Sequence, residues 1–264
     1  MYGFSFDRAS SVQDAAAKAA QGAQLLAGGQ TLLASMKQRL ANPESLLDLS
    51  GIADLKGVCK DGNAIVIGAM TRHQEVENNK DVLANIPGLA RLAGGIGDKQ
   101  VRAMGTIGGS VANNDPAACY PSAVLALGAT VHTNQRKIAA DDFFQGMYTT
   151  ALQAGEIITA IHFPVPQKAV YLKFIQQASR FALVGVFVAK TAQGVRVAIT
   201  GASSGGVFRH KGLEDALGKS FTPEAAAAVK IDPADLSSDL HASAAYRAHL
   251  ISVQVQRAVK QLAG

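Results

Sequence analysis

The sequence predicts an α+β fold, and three observations predict it. The first fifty residues alternate strand-like and helical segments in a β-α-β-α-β order, the pattern of a small α/β unit. Residues 55 to 163 mix hairpin signals with helical ones, and beyond residue 167 strand-like runs joined by turns give way to helices. At 264 residues and 48% hydrophobic, the chain can bury a sizeable core and is long enough for two domains. Pro164 and Pro166 break the pattern and place the expected boundary near residue 167.

In order, residues 11 to 21 (SVQDAAAKAAQ) follow Ser10 as a cap and stop before Gly22, which predicts an alanine-rich helix. The strand QLLA leads into Gly28-Gly29, and TLLASMKQRLA forms a helix whose first amides face that pair until Asn42-Pro43 ends it. LLDLS, residues 46 to 50, is the next strand. Leu55 to Ala69 reads as strand, Asp61-Gly62 turn, strand, and residues 71 to 96 read as helical with Pro87-Gly88 as punctuation. Residues 97 to 121, GDKQVRAMGTIGGSVANNDPAACYP, read either as a phosphate cradle or as a structural loop. Pro116 to Leu127 resumes as a helix, VHTNQRKIAA turns about Asn134-Gln135, and EIITAIHF alternates as a strand. YLKFIQQ, LVGVFVAK and VRVAITGA are strand-like, and helices are expected near 210 to 217, 223 to 230 and 243 to 262, giving an antiparallel sheet with helices on one face.

Several function classes are disfavoured. The net charge of +5 is scattered, with RHK at 209 to 211 as its densest point, and there is no tryptophan and no aromatic platform for nucleic acid. No run of about 18 apolar residues exists, and MYGFSFDRASS lacks a basic end before an apolar stretch, so a soluble cytoplasmic protein is expected. Cys59 and Cys119 lack metal-ligand spacing, so neither a zinc site nor an iron–sulfur cluster is expected in this chain. The six histidines show no ligand spacing, and His73, His132 and His162 read as structural or solvated. GLEDALGKS puts five residues between its glycines where a nucleotide-binding P-loop needs four, no G-x-G-x-x-G occurs, and the SG dipeptides at Ser50 and Ser204 are not centred in a G-x-S-x-G elbow. No catalytic residue is assigned.

Two glycine clusters remain, Gly28-Gly29 and Gly105 with Gly108-Gly109. Without a Cβ, backbone amides can approach an anionic group closely, although the same clusters also occur in ordinary turns. Two cradles suit a pyrophosphate held from two sides, hence a dinucleotide. Asp115 stands ahead of Pro116 either as an acceptor for a ribose hydroxyl or flavin edge, or as a helix N-cap.

AGGQTLLASMKQRLANPESLLDL and QVRAMGTIGGSVANNDPAACYPSAVLALGA together resemble the flavin-binding medium subunit of the molybdenum hydroxylases, as in aerobic carbon monoxide dehydrogenase, and the FAD domain of xanthine dehydrogenase. GAMTRH, EIITAIHFPVP and SAAYRAHLISVQVQRAV carry the resemblance along the whole chain. It implies an FAD-binding region, residues 1–167, of two α/β subdomains (about 1–54 and 55–167), followed by a C-terminal domain, 168–264, with a three-stranded antiparallel sheet and helices. Ala27, Gly28, Gly29, Gln30 and Thr31, continuing through Leu32 and Leu33, match the segment that wraps the pyrophosphate in that family. Thr106, Ile107, Gly108, Gly109 and Ser110 match the second cradle, with Asn113 and Asp115 in the following turn. Ile96 falls where a side chain covers the flavin ring, and Ile158 and Lys173 match contacts from later strands.

The resemblance further implies non-covalent FAD here, with the molybdenum cofactor in a large partner subunit and 2Fe–2S clusters in a small one, arranged as a dimer of heterotrimers. Electrons would pass from the clusters to FAD and on to an external acceptor. The alternative is a free-standing FAD-dependent oxidase, which often tethers its flavin through histidine or cysteine; neither cradle contains a histidine. Two positions depart from the family pattern: Cys119 replaces an acidic residue and Arg180 an aspartate. An arginine near a flavin edge favours the anionic reduced form.

Overall fold

A computed structural model describes residues 1–264. Its first unit contains β1 (Ser5–Arg8), α1 (Val12–Ala20), β2 (Gln24–Leu26), α2 (Leu32–Lys37) and β3 (Ser45–Asp48), with the strands parallel in the order β1-β3-β2. Ser11, one residue later than expected, caps α1 by accepting from the Asp14 amide at 3.1 Å, while the Asp14 carboxylate takes the Ser10 amide at 3.0 Å. A small core of Ala15, Leu47, Leu49 and Ile52 lies beneath, shared with Met70 and Ile157 of the next unit.

The second unit follows a 3₁₀ turn at Ala53–Leu55. β4 (Val58–Asp61) and β5 (Ala64–Gly68) form the expected hairpin, with Gly62 at φ +56° in the turn. Then come α3 (His73–Asn78), α4 (Lys80–Asn85), α5 (Pro87–Gly94), α6 (Lys99–Met104), α7 (Ile107–Asn113) and α8 (Tyr120–Ala126). β6 (Thr130–Thr133), β7 (Lys137–Ala139), α9 (Ala140–Phe143), the small hairpin of β8 (Phe144–Gly146) and β9 (Thr149–Thr150), and β10 (Ile158–Pro164) complete it. The sheet order is β4-β5-β10-β6-β7, antiparallel at every pairing. Ile65, Ile67, Val131, Ile161 and Phe163 face Leu89, Leu92 and Val124 in the largest core.

Residues 97 to 121 are not a loop. Asp98 caps α6 through the Val101 amide at 2.9 Å, and Thr106 caps α7 through the Gly109 amide at 3.2 Å. Gly108 and Gly109 therefore sit in the first turn of a helix, and α8 starts at Tyr120 rather than at Pro116. The glycines' poor helix propensity hides α7 from a pattern reading.

The C-terminal unit is an antiparallel sheet of β11 (Lys168–Ile175), β12 (Ala182–Thr191), β13 (Gly194–Thr200) and β14 (Phe208–Arg209). It gains a two-residue edge strand over the three expected. α10 (Lys211–Lys219), α11 (Pro223–Ala227) and α12 (Ala244–Ala263) supply helices, and Leu250, Ile251, Val255 and Val259 of α12 pack with Val184, Val186 and Val188. α10 runs through Gly218 to Lys219, past the stop expected from the sequence. Phe187 and Ala189 on the other face of β12 join Tyr171 and Ala198 in the core of the second unit. Burial on both faces explains why LVGVFVA is continuously apolar instead of alternating.

Charged side chains bolt this sheet to the second unit. Asp141 on α9 takes Arg196 at 2.7 Å and Arg209 at 3.1 Å, and Arg209 also pairs with the buried Glu214 at 2.7 Å. The basic turn at 209 to 211 thus commits Arg209 to internal structure.

Candidate functional site

Where β2 passes into α2, the chain crosses the turn between α6 and α7, and glycine makes the crossing possible. A Cβ on Gly28 would meet the Met104 carbonyl oxygen and lie 2.6 Å from Gly105 Cα; one on Gly105 would lie 2.6 Å from His73 Nε2; one on Gly108 would lie 2.6 Å from the Ala69 backbone oxygen. Gly28 and Gly108 serve close packing against backbone, and Gly105 makes room for the His73 ring. Gly29, at φ +70°, takes the left-handed conformation that turns the chain into α2.

The amides of the two stretches have different fates. Ile107 donates to Thr71 O (3.1 Å), Gly108 to Ala69 O (2.8 Å) and Ser110 to Thr106 O (3.1 Å), while the Gly109 amide is taken by the Thr106 hydroxyl at 3.2 Å. The amides of Ile107, Gly108, Gly109 and Ser110 are therefore taken within the chain. By contrast, the backbone amides of Gly28, Gly29, Gln30, Thr31 and Leu32 have no hydrogen-bond acceptor within the chain. Consecutive free amides at a strand-to-helix turn form an anion-binding concavity.

They open onto a cleft of about 930 Å³, at the top of the ~300–1,000 Å³ range of small-molecule sites. Ala27 to Leu32 form one wall; Thr106, Gly108, Gly109, Ser110, Asn113 and Asp115 form another; and Ile96 from the α5–α6 connection, Ile158 from β10 and Lys173 from β11 also reach it. Two expected residues do not line it. Leu33 folds back over Gly29, and Ile107 is fully buried in the core. Asp115 lines the cleft but caps no helix: its carboxylate accepts from the Ala117 amide at 2.8 Å and the Tyr148 hydroxyl at 3.2 Å. Lys173 Nζ donates to Gly95 O at 2.6 Å and Arg180 O at 2.9 Å, and lies 3.7 Å from Cys119 Sγ. Arg180, at φ +62°, sits in a turn closed by Gln176 Oε1, which accepts the amides of Ala178 (2.6 Å) and Ser179 (2.9 Å).

Sequence reasoning missed His73, Tyr148 and Phe181, all of which line the cleft. His73 is 5% exposed. Burial first, and the Arg102 charge second, push its pKa down to about 4, so the ring is neutral, and it lies tilted 5.3 Å from Tyr120. The one local hint was Glu75, whose carboxylate takes the Arg72 amide at 2.7 Å and so starts α3 at His73. His132 and His162 stack at 3.5 Å on neighbouring strands, a pairing that depends on sheet register. No group of three or more His, Cys, Asp or Glu side chains is arranged to hold a metal ion.

Residues 2–166 match the family model described as FAD binding domain in molybdopterin dehydrogenase. The chain is 34% identical to the glyceraldehyde dehydrogenase medium chain of Sulfolobus acidocaldarius over 98% of each protein. It is also 34% identical to the carbon monoxide dehydrogenase medium chain of Afipia carboxidovorans, over 98% of this chain and 96% of that one. Its fold superposes on a chain of the carbon monoxide dehydrogenase from Hydrogenophaga pseudoflava with a TM-score of 0.91 and 34% identity, covering 99% and 97% of the two chains. On the family match, the full-length relatives and the shared fold, this chain belongs to the FAD-binding family of the molybdopterin dehydrogenases.

Proposed function

We propose that this chain holds FAD non-covalently in the cleft and works as the electron-transfer subunit of a molybdenum hydroxylase. It takes electrons from the 2Fe–2S clusters of a small partner, which draws them from a large molybdenum-cofactor subunit, and passes them to an external acceptor. The observation that carries this reading is the row of five free amides at the mouth of a dinucleotide-sized cleft. Gly28 to Leu32 would bind the pyrophosphate, with the Ser110 hydroxyl and Asn113 on the opposite wall. Ile96 would cover the flavin ring, Ile158 and Lys173 would close the cleft from their strands, and Asp115 would present its carboxylate to a hydroxyl. Bound FAD accepts electrons singly and releases them in pairs, so the protein's share is binding, orientation and exclusion of water. No acid–base constellation is needed in this chain.

The remaining assignments belong to the same reading: a dimer of heterotrimers, a cytoplasmic setting, and domains of 1–167 and 168–264. No helix is long and apolar enough to cross a membrane. Arg102 pairs with Glu77 at 3.0 Å and holds Ile96 O at 3.1 Å, which leaves the exposed Lys99 as the charge on α6 available to a partner. The purified protein should show flavin absorbance, release its flavin on acid or heat treatment, and co-purify with molybdenum- and iron–sulfur-bearing chains. Flavin that stays with the precipitated chain would contradict non-covalent binding. A pure chain that oxidised substrate as fast as the complex would establish the free-standing oxidase instead.

A further inference from the structure

Cys119 stands on the cleft wall just before α8, 5% exposed, and has no part in the electron route proposed above. Two groups converge on its sulfur. Lys173 Nζ lies 3.7 Å away, fixed from behind by the carbonyls of Gly95 and Arg180, which orient the ammonium without neutralising it. The Tyr171 hydroxyl, in a side chain 3% exposed, has the Cys119 sulfur as its polar neighbour and no oxygen or nitrogen acceptor. Burial first, and the neighbouring Cys119 second, push the Tyr171 hydroxyl well above its ordinary pKa, so it stays a protonated donor. A fixed cation and a buried donor without an acceptor surround a sulfur that is a poor acceptor for either. An oxygen atom on that sulfur would satisfy both.

We propose that Cys119 is a peroxide-reactive site, taking hydrogen peroxide as co-substrate and holding the resulting sulfenic acid between Lys173 and Tyr171. The sulfur attacks one peroxide oxygen, an S–O bond forms and the O–O bond breaks. Sulfur loses two electrons to the peroxide, and the thiol proton leaves on the departing oxygen as water. Thiol and peroxide thus give sulfenic acid and water, with no other reactant. Lys173 stabilises the negative charge that develops on the departing oxygen and then on the sulfenyl oxygen. Cys59 is also free, but it stands exposed on β4, and its exposure alone would favour reaction there.

Cys119 and Lys173 both line the cleft, so oxidation should weaken cofactor loading; this consequence, unlike the thiol chemistry, rests on the cleft being the FAD site. The test is peroxide treatment of the full flavin-free chain with dimedone present, followed by peptide mass spectrometry. Cys119 should label about ten times faster than Cys59. Lys173→Gln should slow Cys119 about ten-fold, Lys173→Arg should restore most of the rate, and Cys59 should be unchanged throughout as the internal control. Faster labelling of Cys59, or a Cys119 rate indifferent to Lys173→Gln, overturns the proposal. In the second arm, FAD titration followed by flavin fluorescence should show about ten-fold weaker binding after oxidation, reversed by dithiothreitol and absent in Cys119→Ser. Labelling at Cys119 with unchanged FAD affinity would keep the modification and overturn its effect on loading. Failure of untreated chain to bind FAD would sink the cofactor reading while the labelling arm still decided the chemistry.

Discussion

A methyl group on Gly28 has no room, because the Met104 carbonyl and Gly105 Cα already occupy its place and both are backbone. At Gly109 the same methyl would meet only Thr106 Oγ1 at 3.0 Å and Ala27 Cβ at 3.5 Å. Gly28→Ala should therefore cost about 2–4 kcal/mol in urea unfolding, whereas Gly109→Ala, helped by alanine's helix propensity, should stay within about 1 kcal/mol of wild type. Equal losses would mean that the crossing of the two stretches is misplaced. His73 gives a second residue-scale prediction. Its folded-state pKa of about 4 lies below the ordinary 6.5, so the unfolded chain takes up the proton first as pH falls. Its burial leaves stability intact above about pH 6.5 and erodes it as pH drops to about 4, by roughly 3 kcal/mol in all. His73→Gln should flatten that slope in denaturation measured across the range, and an unchanged slope would mean that the ring is not buried neutral. Neither role was legible in the sequence, since Gly105 meets His73 and Gly28 meets Gly105 only in the folded chain.

At the scale of elements, legibility followed how local the determining contacts are. The β4–β5 hairpin, with Asp61-Gly62, and α1, with its alanines, are specified by neighbours in sequence and were predictable. α6 and α7 were hidden because Gly105, Gly108 and Gly109 argue against helix, while their caps Asp98 and Thr106 are single residues with many other uses. Non-local pairing also joins α9 to the C-terminal sheet through Asp141, Arg196, Arg209 and Glu214. Glu214 is almost fully buried, accepts the Val197 amide at 3.0 Å, and is held below the usual carboxylate range by Arg209 and that amide against the cost of burial. Arg209→Leu leaves this carboxylate short of its main partner and should cost about 3–5 kcal/mol. Adding Glu214→Gln, which keeps an acceptor for Val197 but removes the charge, should recover part of the loss. A double variant as unstable as the sum of its parts would show that the pair acts independently.

Three units of the molecule meet at one cleft. The parallel sheet contributes Leu26 to Leu32, the five-stranded unit contributes Ile96, Thr106, Gly108 to Ser110, Asn113, Asp115 and Ile158, and the C-terminal sheet contributes Lys173, Arg180 and Phe181. The α+β class could be read from the chain, but this meeting could not, because β5 pairs with β10 about a hundred residues later (Ile65 against Phe163) and β12 serves two cores at once. A ligand that touches all three units ties them together, so its binding energy should appear as stability of the whole chain and not of one part. FAD at 100 times its Kd should add about 2.7 kcal/mol, which for a chain of this size raises Tm by roughly 5–10 °C. Near-ultraviolet and far-ultraviolet signals, reporting packing and backbone, should shift together, because removing any one unit opens the cleft. In Gly28→Ala the shift should shrink along with the affinity. A Tm unmoved by saturating FAD would place the cofactor outside this cleft, and a shift confined to one of two separate transitions would show that the C-terminal sheet contributes no contact of consequence.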